Sequence, residues 1–210
     1  MPSSDAFADL AKLPAVPAAR ILAQANAVLQ TPLALPVSAP VTEVLAALDE
    51  HSALVDMLMV LAHALPAREA TWLACLAARD MVPEGQALPP ALKAAERWVY
   101  QPGEETRAGA RAALDAVSNE DETELCAMAA AFSNGTLGPG ELEDFEAPPG
   151  AVGTAVFGML LKSLFHDDDK ADRQGQVLLA RALDIARGGN GNVPPSPVKT
   201  GIKANEEGLQ

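Results

Sequence analysis

Residues 53–81 read ALVDMLMVLAHALPAREATWLACLAARDM, and this stretch decides the fold class. An apolar run stands on each side of Pro66. Proline disfavours the α region for the residue before it, so the first run is expected to be a helix, Ala53–Leu65, closed at Pro66. In the second run Trp72, Leu73, Leu76 and Ala77 recur at helical spacing, which predicts a helix over Arg68–Met81. A short link between two amphipathic helices makes them roughly antiparallel neighbours.

The same punctuation continues outward. Ser52 is expected to cap the first of these helices, after a helix over Thr42–Leu48. Downstream, helices are expected over Ala91–Tyr100, Glu104–Val117, Glu120–Phe132 capped by Asn119, Ala151–Phe165 and Asp168–Arg187. Pro102-Gly103, Asn134-Gly135 and Gly188-Gly189 separate or end them. Upstream, prolines at 2, 14, 17, 32, 36 and 40 allow only short pieces, expected over Ser4–Lys12 and Ala18–Gln30. The expected organisation is a Pro-interrupted segment over 1–40, a helical domain over 41–188 and a disordered tail over 189–210. The fold class is all-α, an irregular array of antiparallel helical pairs.

Composition agrees. Hydrophobic residues make up 49% of the 210, yet aromatics only 4%. Alanine, about a fifth of the chain and far above ordinary usage, fills the difference. Alanine is the best helix former, and no run alternates β-branched and aromatic residues as a strand would.

Charge excludes some partners. A formal net charge of -13 repels nucleic acid and anionic lipid and favours a basic protein. The apolar stretches 53–65 and 151–165 are shorter than a membrane span and are interrupted by Asp56, His63 and Lys162. No signal peptide or twin arginine opens the sequence, so a cytoplasmic location is expected.

Chemistry is hard to find. No Gly-x-Ser-x-Gly elbow, no phosphate-cradling glycine loop and no paired histidines occur. His166-Asp167-Asp168-Asp169 is the only dense cluster, and its acids are expected to cap the following helix rather than bind metal. Cys75 and Cys126 are expected to be buried small hydrophobes, with no disulfide framework. The expectation is no catalytic residue, metal or cofactor. Trp72 and Trp98 are expected in the core, with Pro66 as a structural stop. Arg68, Glu69, Glu104 and Arg107 are expected to form weak surface pairs.

One block stands out. Between Asn119 and Gly150 lie Glu120, Asp121, Glu122, Glu124, Glu141, Glu143, Asp144 and Glu146, with no Lys or Arg. Leu142 and Phe145 sit among them. Acids around one or two apolar anchors suit a basic partner, so Glu120, Asp121, Glu122, Glu141, Leu142, Glu143, Asp144 and Phe145 are the candidate contact residues. The alternative is a solvated loop packed on the core by Phe145.

Several motifs bear a family likeness: Leu65-Pro66-x-Arg68-Glu69-Ala70-x-Trp72-x-Ala74-Cys75, Ala94-Ala95-Glu96-Arg97-Trp98-Val99, Pro102-x-Glu104-x-x-Arg107, Ala129-Ala130-Ala131-Phe132 with Gly135-x-Leu137-x-Pro139, and Leu183-Asp184-Ile185-Ala186-Arg187-Gly188. As a set, over about residues 62–188, they resemble a proteobacterial helical family of unknown activity encoded near type VI secretion genes. The resemblance implies a helical fold and an accessory role beside that machinery, as adaptor or chaperone for an effector or spike component. It carries over no catalytic residue. Acidity and small size also suit an immunity protein that plugs a toxin, and an enzyme of unrecognised type is a third reading that nothing in the sequence requires.

Overall fold

A long and strongly apolar helix lies at the centre of the packing, as its sequence requires. Residues Ala151–Leu164 (α8 in chain order) carry one charge, Lys162, and pack against four other helices. A helix apolar on most of its circumference is stable only when surrounded. The computed structural model describes residues 4–117 and 121–193. Among these it shows nine α-helices and no extended sheet.

The order is α1 Ala18–Gln24, α2 Val41–Glu50, α3 Leu54–Ala64, α4 Ala67–Arg79, α5 Pro90–Tyr100, α6 Glu104–Asp115, α7 Glu124–Ala131, α8, and α9 Ala171–Ala186. Helices α3, α4, α7 and α9 surround α8, and α5 and α6 add a second pair against α7. The core is one cluster built on Leu45, Leu48, Met57, Leu58, Leu61, Leu73, Leu92, Met159, Leu160, Leu178 and Ile185. Burying each such side chain is worth about 1.5–3 kcal/mol. Between them run fully buried alanines, among them Ala70, Ala74, Ala77, Ala129 and Ala130. The alanine excess is therefore a packing device: small side chains bring helix axes close.

Two glycines show the same economy of space. A Cβ at Gly153 would overlap the His63 ring. A Cβ at Gly150, which is left-handed at φ 73, would overlap Ala25. α8 thus starts hard against α1 and α3.

The all-α class and the helix order agree with the sequence reading, while several boundaries differ. α1 stops at Gln24 instead of Gln30. Asn26 turns left-handed (φ 51), and the Ala27 N–H closes the end on the Leu22 carbonyl. Only Ser4–Phe7 of the first expected helix is helical, as a 3₁₀ turn. Ser52 caps nothing: it is itself left-handed (φ 54) and ends α2, the Ala53 N–H returning to the Leu48 carbonyl. α3 ends at Ala64, and Pro66 is extended and leads into α4. α7 starts at Glu124, where the Thr123 N–H and hydroxyl both donate to Asp121, at 2.8 and 2.6 Å. Asn119 lies outside the described residues. The acids at 167–169 do not cap α9: its first residue follows Lys170 with no side-chain cap, and Asp167 pairs with Lys170 instead.

The segment after α9 is also ordered further than expected. The Trp72 indole N–H donates to the Asn190 carbonyl at 2.8 Å, and Asp184 accepts the Gly191 N–H at 2.8 Å. Residues 194–210 lie outside the described residues.

Candidate functional site

The site begins with one arginine. Arg107 stands near the start of α6, where the turn after it would face solvent in an isolated helix. Instead only 3% of it is exposed. A guanidinium has five N–H groups that need acceptors once water is excluded. Arg107 donates to both Glu104 carboxylate oxygens (3.1 and 3.0 Å), to Asn134 (2.9 Å), to the Thr136 hydroxyl (3.2 Å) and to Glu143. Glu104 belongs to its own helix; the other three acceptors belong to the connection between α7 and α8. Arg111, one turn on, donates to the Leu137 carbonyl at 2.8 Å. Two arginines of α6 thus fasten this connection.

The connection has structure of its own. Thr136 pairs antiparallel with Glu146, with Leu137 N–H donating to Phe145 and Ala147 N–H to Gly135. Gly135 is left-handed, as the turn after α7 requires. Between the paired residues lies a 3₁₀ turn, Gly140–Asp144. This short ladder turns Phe145 outward, and 58% of it is exposed. Phe145 therefore does not pack the loop on the core. Leu142 is half-buried and rests by Gly138. Glu141, Asp144 and Glu146 are exposed, and among the described residues they make no ion pair.

The expected contact residues lie at the two ends of α7. Glu141, Leu142, Glu143, Asp144 and Phe145 share the loop beyond the C-terminal end of α7. Asp121 and Glu122 precede its N-terminal end. Glu143 is taken up by Arg107, Asp121 by Thr123, and Glu124 by Lys162 of α8 at 3.0 Å. Glu120 lies outside the described residues. Exposed and in no ion pair among the described residues are Glu122 and the loop acids Glu141, Asp144 and Glu146, with Phe145 exposed beside the latter.

The other singled-out residues are structural. Trp98 is buried. Trp72 is half-buried, with the Tyr100 ring tilted against it at a centroid distance of 5.6 Å. Arg68 donates to the Val99 carbonyl, and Glu69 pairs with Lys12. Arg107 is no surface pair, contrary to the sequence reading.

Two features escaped the sequence, and the burial expected of the two cysteines is met. Asp56, on the buried side of α3, accepts the N–H groups of Gln30 and Thr31 at 3.0 and 2.8 Å. Cys75 and Cys126 are buried free thiols on packed helices; burial pushes the Cys75 thiol well up, and the neighbouring Cys126 thiol adds to it. A cleft of about 340 Å³ opens between α1, the end of α3 and the start of α8, and its wall includes His63, whose pKa burial lowers. Long-range contacts of this kind leave no local periodicity to detect. Among the described residues no group of three His, Cys, Asp or Glu could hold a metal ion, and no helix is long and apolar enough to cross a membrane.

A family model matches residues 44–186. The chain belongs to the DUF6931 family. DUF6931 is a family of unknown function. The match runs from α2 through α9, so it takes in Arg107 and the whole α7–α8 connection. No curated protein and no solved structure matches the chain.

Proposed function

We propose that this DUF6931 protein is a non-catalytic interaction protein that holds a basic partner on the loop carrying Glu141, Asp144, Phe145 and Glu146. In this reading it acts in the cytoplasm as adaptor or chaperone for an effector or spike component of a type VI secretion system. The observation that carries it is the exposed Phe145 on a loop fastened from beneath by the buried Arg107. An exposed aromatic ring offers a large apolar area that a partner can bury at little cost in side-chain freedom. A loop already ordered loses little freedom on binding. Unpaired acids around it draw a cationic partner and reject an anionic one. The secretion assignment rests on the likeness of the central motifs to helical proteins encoded near such genes.

The test is affinity capture from the native host at low and high salt, repeated with Glu141→Lys/Asp144→Lys. The expected result is a secretion-locus protein that is released by salt and lost with the double variant. Equal capture by the variant removes the loop from the proposal. Glu143 is left intact, because a lysine there would face Arg107.

The net charge of -13 favours a second reading, an immunity protein that covers a cationic toxin. Co-expression separates the two. An immunity protein protects cells from one neighbouring toxin, whereas an adaptor changes export without changing survival.

A further inference from the structure

The loop is continuous with the cleft. Gly135 and Ala147, the paired base of the loop, are part of the cleft wall. Phe145 is two residues from Ala147, so its Cα stands at most about 7 Å from the Cα of that wall residue. Ile21, Ala62, His63, Phe132, Pro148 and Val152 form much of the remaining wall, and no Lys, Arg, Asp or Glu lines it. Glu146 adjoins the wall residue Ala147 in the chain, and Glu141 and Asp144 belong to the same loop. An uncharged hollow beside an acidic rim is complementary to a segment whose own charges are positive and whose anchor is apolar. At about 340 Å³ the hollow takes a side chain with part of its backbone, and is at the lower end of the range for a drug-sized ligand.

We infer that the cleft receives one bulky apolar side chain of a basic partner segment, whose Lys or Arg residues lie against Glu141, Asp144 and Glu146. This rests on the loop being the docking surface, and it names what the partner must carry: a Leu, Ile, Met or Phe within a few residues of its cations. The apolar anchor supplies affinity, and the acids supply encounter and register.

The probe is a random peptide library selected on the full chain at low salt. Enriched peptides are expected to combine Lys or Arg with one bulky apolar residue. The best of them, made synthetically, should shift the carbon-bound imidazole proton signals of His63. Its affinity should fall about tenfold or more, which is about 1.4 kcal/mol, in Ala151→Trp, which fills the cleft mouth. Replacing the peptide's own apolar residue with Ala should cost as much, and that change cannot unfold the protein.

Several results overturn the inference. If Glu141→Lys/Asp144→Lys weakens the peptide but neither cleft filling nor loss of its apolar residue does, the cleft is no docking site, while the loop proposal stands. If no peptide is enriched, or none depends on loop or cleft, both fall. Dimerisation abolished by Ala151→Trp would give the cleft to a second copy. Binding that appears only after deletion of residues 194–210 would give it to the chain's own end.

Discussion

Two irregular segments are each fastened to the helical body by one buried charged side chain, and they are fastened in opposite senses. Asp56 of α3 holds the 25–39 connection by accepting two backbone N–H groups. Arg107 of α6 holds the 132–150 connection by donating to three of its side chains, Asn134, Thr136 and the carboxylate of Glu143. Gln30 and Thr31 are held by their main chain, so no side chain of that segment takes part in the contact, and Val28 and Val37 stay exposed beside it. Side-chain partners are chosen residue by residue, and the loop keeps three acids and a phenyl ring that the arginine does not use. The first segment is a seam tied through its main chain, whereas the second is tied through its side chains and is the proposed presenting surface.

The comparison breaks first at Asp56. Asp56→Ala leaves two N–H groups without their charged acceptor, and the expected loss is about 3 kcal/mol in urea unfolding. Hydrogen exchange at Gln30 and Thr31 should accelerate, and Asp56→Asn should fall between. A loss under about 1 kcal/mol would mean that the segment is held by its apolar contacts instead.

Arg107→Met should cost less, about 2 kcal/mol, because Glu104 and Glu143 are half-exposed and can turn to water. Limited proteolysis between Leu137 and Glu146 should rise in the same variant. An unchanged digest would assign the loop's order to its backbone pairing alone. Glu141→Lys/Asp144→Lys should leave stability within about 0.5 kcal/mol, since neither acid is used internally; a destabilised variant would make this loop a seam like the other.

The smallest effect concerns pH. Burial lowers the His63 pKa in the fold, so below the ordinary histidine value the unfolded chain binds more protons at this residue than the folded one. Its contribution to stability is therefore complete above that value and falls as pH drops through it toward the folded pKa. His63→Gln should flatten this part of the urea midpoint against pH. An unchanged slope would place the titration elsewhere.

The helices were legible in the sequence because their signals are local. Pro66, Pro102-Gly103 and Asn134-Gly135 break the chain where the structure breaks it. Errors arose where a residue's part depends on distant chain. Ser52 looks like a helix cap but terminates the helix before it. Asp167–Asp169 look like caps for α9, yet Asp167 turns to Lys170. Arg107 reads as one of several charges near a helix start; only the return of Asn134, Thr136 and Glu143 buries it. The acids of the block lie at the two ends of α7, Asp121 and Glu122 before it and Glu141 to Glu146 after it. Phe145 was legible as an anchor or a plug, and the backbone pairing of Thr136 with Glu146 decides that it faces water.

The most direct test of the central claim is the affinity of the captured partner for wild type and for Glu141→Lys/Asp144→Lys, each titrated across a salt series. The account predicts weaker binding by the variant and a shallower dependence on salt, with the two proteins equally stable. Equal affinity and equal salt slope would contradict it, and the loop would then be no more than an exposed turn of the fold.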